Sequence, residues 1–224
     1  MARSLALYGE WIEQEIDFLS DLVDAGQTIL ELGGQHAAHT LWLARVVGAK
    51  GAVHVTEARR LAFQHMCANV AINQLTNVYP HARWLGPSAG PMSLPISLQA
   101  QGEQGEIIHA VPLDELRLPA LHLVKVNQQG ALMDLLAGGI DTLRIHRPMI
   151  YFRLPGAEQA ESEVRALKQL GYRCWSHVPY LYNASNHKNE TRNLFPGCVS
   201  ANVLASPIER GYAWPGREIL MESE

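Results

Sequence analysis

The segment LVKVNQQG, residues 123–130, places three amide side chains where a buried strand is predicted to end. Its run of Leu, Val and Val is typical of a strand with both faces covered. In an open α/β sheet, ligands bind at the carboxyl ends of such strands. Asn127, Gln128 and Gln129 can exchange hydrogen bonds with a ligand there, but none of them can take up a proton at neutral pH. The segment therefore indicates either a site that works without carboxylates or one that has lost them.

A pair of glycines, Gly33 and Gly34, ends another predicted strand in TILELGG. Glycines let the backbone reach positive φ and approach a ligand closely. The helix that follows is predicted to start at 38–40 and could direct free N–H groups at a carboxylate or a phosphate. The dinucleotide-binding fingerprint needs a third glycine, however, and Ala37 and Ala38 stand where small residues are required. The motif is therefore an incomplete phosphate cradle.

Glu57 ends the next predicted strand, AVHVTEA, about two dozen residues after the glycines. A carboxylate at this position can accept hydrogen bonds from both hydroxyls of a ribose, which NAD and S-adenosylmethionine both present. A glutamate that only caps the next helix is the structural alternative. Together, the glycine turn and Glu57 favour an adenosine-bearing ligand.

Two histidines, His36 and His39, are three residues apart, as two metal ligands on one helix face can be. No carboxylate or cysteine near them in the sequence completes a metal site. We therefore predict no metal centre and a structural role for the pair.

Strands alternate with helices along most of the chain, which predicts parallel strands, right-handed crossovers and helices on both faces of one sheet. The last two predicted strands, YRCWSHV and CVSANVLA, have no helix between them, so at least one antiparallel pairing is expected there. The predicted fold class is α/β, a doubly wound and mostly parallel sheet with an antiparallel C-terminal edge. We predict a single domain over 1–224, made of an N-terminal helix (1–26), a Rossmann-like core (27–207) and a tail (208–224).

Three local signals refine this order of elements. Pro80, in the predicted strand 77–85, cannot donate to a ladder and predicts an edge strand or a bulge. Residues 86–104 are rich in Gly, Pro and Ser and predict a surface loop. Gly138 and Gly139 predict a break in the helix that follows LVKVNQQG.

Length, charge and cysteine usage exclude several functional classes. A chain of 224 residues suits one well-buried domain. The net charge of −4, with no basic block, argues against binding of nucleic acid or of an anionic membrane surface. Three separated cysteines favour reduced thiols and a cytoplasmic location. Acidic residues near the N-terminus argue against a signal peptide, and no apolar run approaches the ~20 residues of a membrane span.

Residues 29–78, from ILELGGQHAAHTLWLARVV to INQLTNV, resemble the FkbM family of S-adenosylmethionine-dependent O-methyltransferases. The resemblance continues in YGEW near the start, in LVKVNQQG, in RPMIYF and in the late segment NLFPGCVSANVLA. It implies a Rossmann-like class I methyltransferase fold that holds S-adenosylmethionine over the first two strands.

The same resemblance assigns cofactor-binding positions. Gly33 matches the first family glycine, Gly34 follows it in the turn, and Glu31 stands where an Asp is usual. Glu57 matches the acidic residue that is expected to hold the ribose. Trp84 replaces a small residue near the place of the adenine, where it could stack on the base or fill its pocket.

The chain departs from the family pattern at several of these positions. In the family motif V-D-V-G-A-N-x-G, Gln35 replaces the Asn and Ala37 replaces the last glycine. In K-I-D-V-E-G, both carboxylates are replaced by the amides Asn127 and Gln129. An acidic E-N-D after the next strand is replaced by a segment that contains Arg153. These changes remove acidic groups at two strand ends and predict relaxed or altered chemistry.

A methyl acceptor hydroxyl needs a base or a metal that takes its proton, in addition to alignment with the donor. Lys125 is retained from the family motif, but Asn127 and Gln129 cannot act as that base. His39 is a candidate replacement, as are two later histidines, His177 and His187, because the ordinary pKa of histidine suits proton transfer.

Two hypotheses follow. The lost acidic groups favour a pseudo-methyltransferase that acts as a binding or partner subunit, in which binding of S-adenosylmethionine is weakened or lost. The retained Gly33, Glu57 and Lys125 favour an active S-adenosylmethionine-dependent O-methyltransferase that acts on a hydroxyl of a sugar or another small metabolite. The expected partner is accordingly a protein, in a homo- or hetero-oligomer, or a small-molecule substrate. An NAD-dependent oxidoreductase is excluded because the third glycine and a hydride-transfer site are missing.

Overall fold

A seven-stranded sheet forms the centre of the protein in the computed structural model, which describes residues 1–94 and 106–220. The strands are β1 (Thr28–Leu32), β2 (Ala52–Thr56), β3 (Val78–His81), β4 (Trp84–Leu85), β5 (Gly90–Ser93), β6 (Ile107–Val111), β7 (Leu123–Val126), β8 (Met149–Arg153), β9 (Tyr172–His177) and β10 (Asn202–Pro207). The order in the large sheet is β3-β2-β1-β7-β8-β10-β9.

The pairing of these strands confirms the predicted fold class. Strands β3, β2, β1, β7 and β8 pair in parallel, whereas β10 lies between β8 and β9 and is antiparallel to both. The carboxyl ends of β1, β2 and β7 therefore lie side by side, because these three strands are parallel neighbours. These carboxyl ends are where the candidate site is predicted from the sequence.

Helices cover both faces of the sheet. They are α1 (Ala2–Tyr8), α2 (Glu13–Ser20), α3 (Ala38–Val47), α4 (Arg60–Ile72), α5 (Ala131–Gly138), α6 (Ile140–His146) and α7 (Ala157–Gln169). Adjacent residues of β1, Ile29 and Leu30, belong to two different hydrophobic clusters, because successive side chains of a strand point to opposite faces. Of the helices in the described part of the chain, none has both the length and the apolar character that a membrane crossing requires.

Two glycine and proline signals are confirmed. The helix after β7 is interrupted at Gly138 and Gly139, where α5 ends and α6 begins. A methyl group on Gly138 would lie 2.0 Å from the backbone oxygen of Gly86, so this position requires glycine for packing. Strand β3, which contains Pro80, is the first strand of the large sheet and has a neighbour on one side only.

Three predictions about local structure are wrong. The single N-terminal helix is two helices, because Gly9 ends α1 in the left-handed conformation and Ile12 also has a positive φ of 50°. The strand predicted over 77–85 is divided between β3 in the large sheet and β4 in a three-stranded sheet of order β4-β6-β5. The predicted surface loop over 86–104 contains β5, and the rest of it from residue 95 onward lies outside the described residues.

The described part of the predicted tail, residues 208–220, pairs with the edge of the sheet. Trp175 of β9 forms an antiparallel bridge with Glu218, and Ile219 N donates to Cys174 O at 2.8 Å. The guanidinium of Arg173 lies 2.6 Å from the Glu218 carboxylate. The tail therefore covers the outer edge of β9.

Candidate functional site

Lys125, Asn127 and Glu31 meet where β1 and β7 lie side by side. Glu31 and Lys125 are register partners in these two parallel strands. Lys125 Nζ donates to Asn127 Oδ1, and Asn127 Nδ2 donates to Glu31 Oε1 at 2.7 Å. The other Glu31 oxygen accepts a hydrogen bond from Thr40 Oγ1 at 2.6 Å. Asn127 therefore acts as an acceptor and a donor at once, which a carboxylate cannot do.

Glu15 of α2 enters this cluster from outside the sheet and was not predicted to be a site residue. Its carboxylate lies 3.0 Å from Lys125 Nζ and accepts a hydrogen bond from Asn202 Nδ2 at 2.9 Å. Burial alone would raise the pKa of Glu15, but Lys125, His39 and Arg153 outweigh that effect and lower the pKa to about 2. Glu15 is therefore a buried anion that neutralises the buried Lys125.

One sequence signal could have identified Glu15. It lies four residues after Trp11 and four before Leu19, and therefore on the apolar side of the predicted helix. A charged residue in that stripe must be paired when the stripe is buried.

His39 lies in the cluster but is not poised to act as a base. Its Nε2 lies 2.8 Å from Trp11 O, and its Nδ1 lies 3.7 Å from Glu15 Oε2. Burial is the main cause that lowers the pKa of His39 to about 4, and the positive charge of Lys125 is the second cause. The ring is therefore neutral at pH 7 and enclosed, so transfer of a proton to it from a substrate is strongly disfavoured.

His177 is also engaged by neighbouring side chains. Its Nδ1 lies 2.7 Å from the hydroxyl of Tyr151, and its ring stacks on Phe18 at a centroid distance of 4.3 Å. Burial lowers the pKa of His177. His187, by contrast, is 66% exposed, with Nε2 at 3.7 Å from Glu13 Oε1.

The polar cluster continues onto β10 through Asn202. Asn202 Nδ2 donates to the Tyr151 hydroxyl at 2.7 Å, and Asn202 Oδ1 accepts from Ser200 Oγ at 2.9 Å. Ser200 Oγ in turn accepts from Arg153 Nε at 2.9 Å. Arg153, which stands where the family resemblance expects an acidic segment, is thus tied to β10 and also lies 3.7 Å from Glu15. The hydrogen bonds that join Ser200, Asn202 and Tyr151 in this network were not predicted from the sequence.

The glycine turn keeps a left-handed backbone, and a side chain from the end of β7 packs against it. Gly33 has a φ of 85°, and Gln35 and Ala37 follow with φ of 48° and 61°. A Cβ on Gly33 would lie 2.5 Å from Cγ of Gln128, so this side chain lies directly over the glycine. Gln128 is only 4% exposed, and its Nε2 has no hydrogen-bond partner among the described residues. Gln128 was predicted to lie at the ligand-binding end of the strand, but its contact with Gly33 was not predicted.

Gly34 has a packing role. A methyl group there would lie 2.4 Å from Met66 Sδ and 2.5 Å from Val55 Cγ2. The glycine therefore allows α4 and β2 to approach the turn.

Glu57 is fully buried, and both of its oxygens are occupied. Arg59 donates from Nε to Oε1 and from Nη2 to Oε2, each at 2.9 Å. The backbone N–H groups of Arg59 and Gln35 donate to the same two oxygens at 3.1 and 3.2 Å. The position expected to hold a ribose is therefore held by the protein itself.

Two predicted site residues make separate contacts. Trp84 is a buried residue of β4 in the three-stranded sheet, and its Nε1 donates to Asp134 Oδ2 of α5 at 2.8 Å. Gln129 is exposed and donates from Nε2 to Leu154 O at 3.1 Å. Neither of these contacts joins the cluster around Glu15.

The sequence matches no protein-family model and no curated protein. Solved structures do match the fold. Precorrin-6y C5,15-methyltransferase from Geobacter metallireducens gives a TM-score of 0.56 at 13% identity, over 87% of this chain and 88% of that one. An rRNA methylase from Streptococcus thermophilus gives 0.53 at 10% identity, over 88% and 95%.

Methyltransferase FkbM from Methylobacillus flagellatus gives a TM-score of 0.52 at 11% identity, and the match covers 84% of this chain but 50% of that one. At these identities the likeness concerns the fold alone. Together with the strand order and the antiparallel β10, it shows that the protein has the Rossmann-like fold of class I S-adenosylmethionine-dependent methyltransferases.

Proposed function

We propose that the protein is an FkbM-type pseudo-methyltransferase, which keeps the fold but acts as a binding or partner subunit. The observation that carries this proposal is the closed network around Lys125 and Asn127. In the described part of the chain, the polar side chains that reach the end of β7 from α2, α3 and β10 are hydrogen-bonded to other groups of the protein: Glu15, His39, Thr40 and Asn202. A ligand beside Lys125 and Asn127 would meet polar groups whose hydrogen bonds are already made.

A proton acceptor is the feature whose absence matters most for methyl transfer to a hydroxyl. In the described cluster, Glu15 has a pKa of about 2, and its oxygens are engaged by Lys125 and Asn202. His39 is neutral and enclosed. Burial raises the pKa of Glu31, but both of its oxygens accept hydrogen bonds from side chains. None of these groups is available to an acceptor hydroxyl without rearrangement.

The FkbM assignment rests on the sequence motifs and on the similarity in fold to methyltransferase FkbM. It is more specific than the fold class, because it identifies two carboxylates of the family motif that this chain has lost. The two family carboxylates after Lys125 are amides in this chain, and one of them, Asn127, has become a structural bridge. Such a bridge is expected where a former site is retained for its contribution to stability.

A turnover assay tests the proposal. Purified protein is incubated with methyl-labelled S-adenosylmethionine and a small-molecule extract of the source cells, and S-adenosylhomocysteine is quantified. We expect no release above that of a heat-denatured sample. Release that requires folded protein would contradict the proposal and support the active O-methyltransferase.

The partner role is tested on the same protein in the cell. A tagged chain is expected to elute from size-exclusion chromatography of a native extract well above its own 24.8 kDa, whereas the purified chain does not reach that size. Elution of both samples at the same size would argue against a hetero-oligomeric role.

A further inference from the structure

We propose that two side chains of the protein, Arg59 and Gln128, keep the nucleoside site of the fold closed and exclude S-adenosylmethionine. This inference rests on the proposed function, because it explains how binding of the cofactor is lost while the turn and Glu57 persist. Among the described residues, neither of the two closures depends on Asn127 or Gln129. They are therefore separate from the loss of the family carboxylates.

The first closure acts at the ribose position. A ribose is recognised in this type of fold when its hydroxyls donate to a buried carboxylate at the end of the second strand. Here Arg59 donates two hydrogen bonds at 2.9 Å to the Glu57 carboxylate in a bidentate arrangement. Arg59 brings a full positive charge and a planar fork that matches the carboxylate, and the two neutral hydroxyls of a ribose have neither. Glu57 thus serves as the anchor of Arg59.

The second closure acts at the glycine turn. Glycine at the end of a strand can leave space for a ligand beside the backbone, because it has no Cβ. Gln128 Cγ is 2.5 Å and Cδ is 3.1 Å from the position that a Cβ on Gly33 would take, so the space belongs to Gln128. The residues described here therefore do not fit the cofactor as they stand.

The position of Gln128 over Gly33 leaves the side-chain amide nitrogen without a hydrogen-bond acceptor in the described part of the chain. A buried N–H donor without an acceptor destabilises the folded state. The Nε2 of Gln128 is in that state among the described residues. Removing the side chain beyond Cβ therefore frees space at Gly33 without breaking a hydrogen bond that the structure shows for the amide nitrogen.

Calorimetric titration with S-adenosylhomocysteine, a stable analogue of the cofactor, measures the effect. The samples are the wild type, Arg59→Ala, Gln128→Ala and the double variant. The wild type is expected to bind no more tightly than about 1 mM, and the double variant at least about tenfold more tightly, with smaller gains for each single variant. Arg60→Ala and Gln64→Ala, which remove an exposed arginine and an exposed glutamine nearby, should leave the heats unchanged.

The location of any gained binding is checked by adding Glu57→Gln to the double variant. Loss of the gained affinity supports the inference, whereas retained affinity means that the ligand binds elsewhere and overturns it. Circular dichroism and thermal unfolding establish that each sample is folded.

The outcomes separate the inference from the proposed function. Micromolar binding by the wild type overturns the inference, and only turnover in addition overturns the proposed function. A folded double variant that gains no affinity also overturns the inference but leaves the pseudo-methyltransferase intact.

Discussion

Asn127 bonds Glu31 through a donor that an aspartate would not have. The distance from Asn127 Nδ2 to Glu31 Oε1 is 2.7 Å, and the Asn127 oxygen accepts from Lys125. The amide therefore connects a cation on its own strand with a carboxylate on the neighbouring strand. Restoring the family carboxylate at this position would place two carboxylates against each other next to a single lysine.

We expect Asn127→Asp to destabilise the fold by about 2 kcal/mol, because it replaces a hydrogen bond with a like-charge contact in a buried site. Urea unfolding of the purified protein measures the change. Gln129→Glu is the matched control, since Gln129 is exposed, and its free energy of unfolding should change little. The loss should be smaller in a Glu31→Gln background; an equal loss there would mean that Glu31 is not the cause.

Glu15→Ala is expected to cost about 3–5 kcal/mol, because it leaves Lys125 buried without its carboxylate partner. Glu13→Ala, on the same helix, removes a carboxylate whose pKa is raised by burial and by Glu10, and should cost little. Chemical denaturation at pH 7 distinguishes the two variants. Equal effects would show that Glu15 does not hold the lysine.

The same carboxylate predicts an acid dependence. The pKa of Glu15 is lowered from 4.5 to about 2 in the folded state, so the unfolded chain takes up its proton first as the pH falls. The contribution of Glu15 is present above pH 4.5 and is lost as the pH falls through about 2. Glu15→Gln should therefore flatten the loss of stability in that range, as measured by thermal unfolding against pH.

Glu163 of α7 predicts the opposite dependence. It is 2% exposed, Oε2 has no hydrogen-bond partner among the described residues, and burial raises its pKa to about 7. The folded state holds the proton of Glu163 more tightly than the unfolded chain does. The contribution of Glu163 to stability is therefore greatest below pH 4.5 and is lost as the pH rises through about 7. Glu163→Met should raise stability by about 2 kcal/mol at pH 8 and much less at pH 5. Glu161→Met, at an exposed position of the same helix, should show no such difference between the two pH values.

Gln35→Asn should stabilise the protein by about 0.5 kcal/mol. Gln35 has a φ of 48°, and Asn populates this left-handed region more readily than Gln does. The backbone N–H that donates to Glu57 is kept in the variant. Gln64→Asn in α4 should have the opposite sign, because Asn is a poorer helix former. A lower urea midpoint for Gln35→Asn would contradict this account of the turn.

The fold was predictable from the sequence because hydrophobic runs of four to six residues and their helical spacers determine an alternating order. Pro80 was informative because it cannot donate a hydrogen bond within a sheet, and Gly138 because glycine disfavours a continuous helix. The three-stranded sheet was not predictable, since β4 has only two residues and no periodicity of its own.

The site was only partly predictable. Lys125, Asn127 and Glu31 lie on adjacent strands, so the strand ends bring them together. Glu15 comes from a helix that no strand pairing positions, and its contact with Lys125 spans 110 residues. The pairing of Glu57 with Arg59 is local in sequence, but it depends on the turn between β2 and α4, which hydrophobic patterns do not specify.

The two edges of the large sheet are both poorly suited to pairing with a strand of another molecule. At one end, Pro80 lacks the N–H that a ladder requires, and at the other end the segment around Glu218 already occupies the edge of β9. Sheet extension is the route by which many β-structures aggregate or exchange segments. In the proposed partner role, docking would therefore use side chains on the helical faces, and an oligomer of this chain would dissociate without unfolding of the sheet.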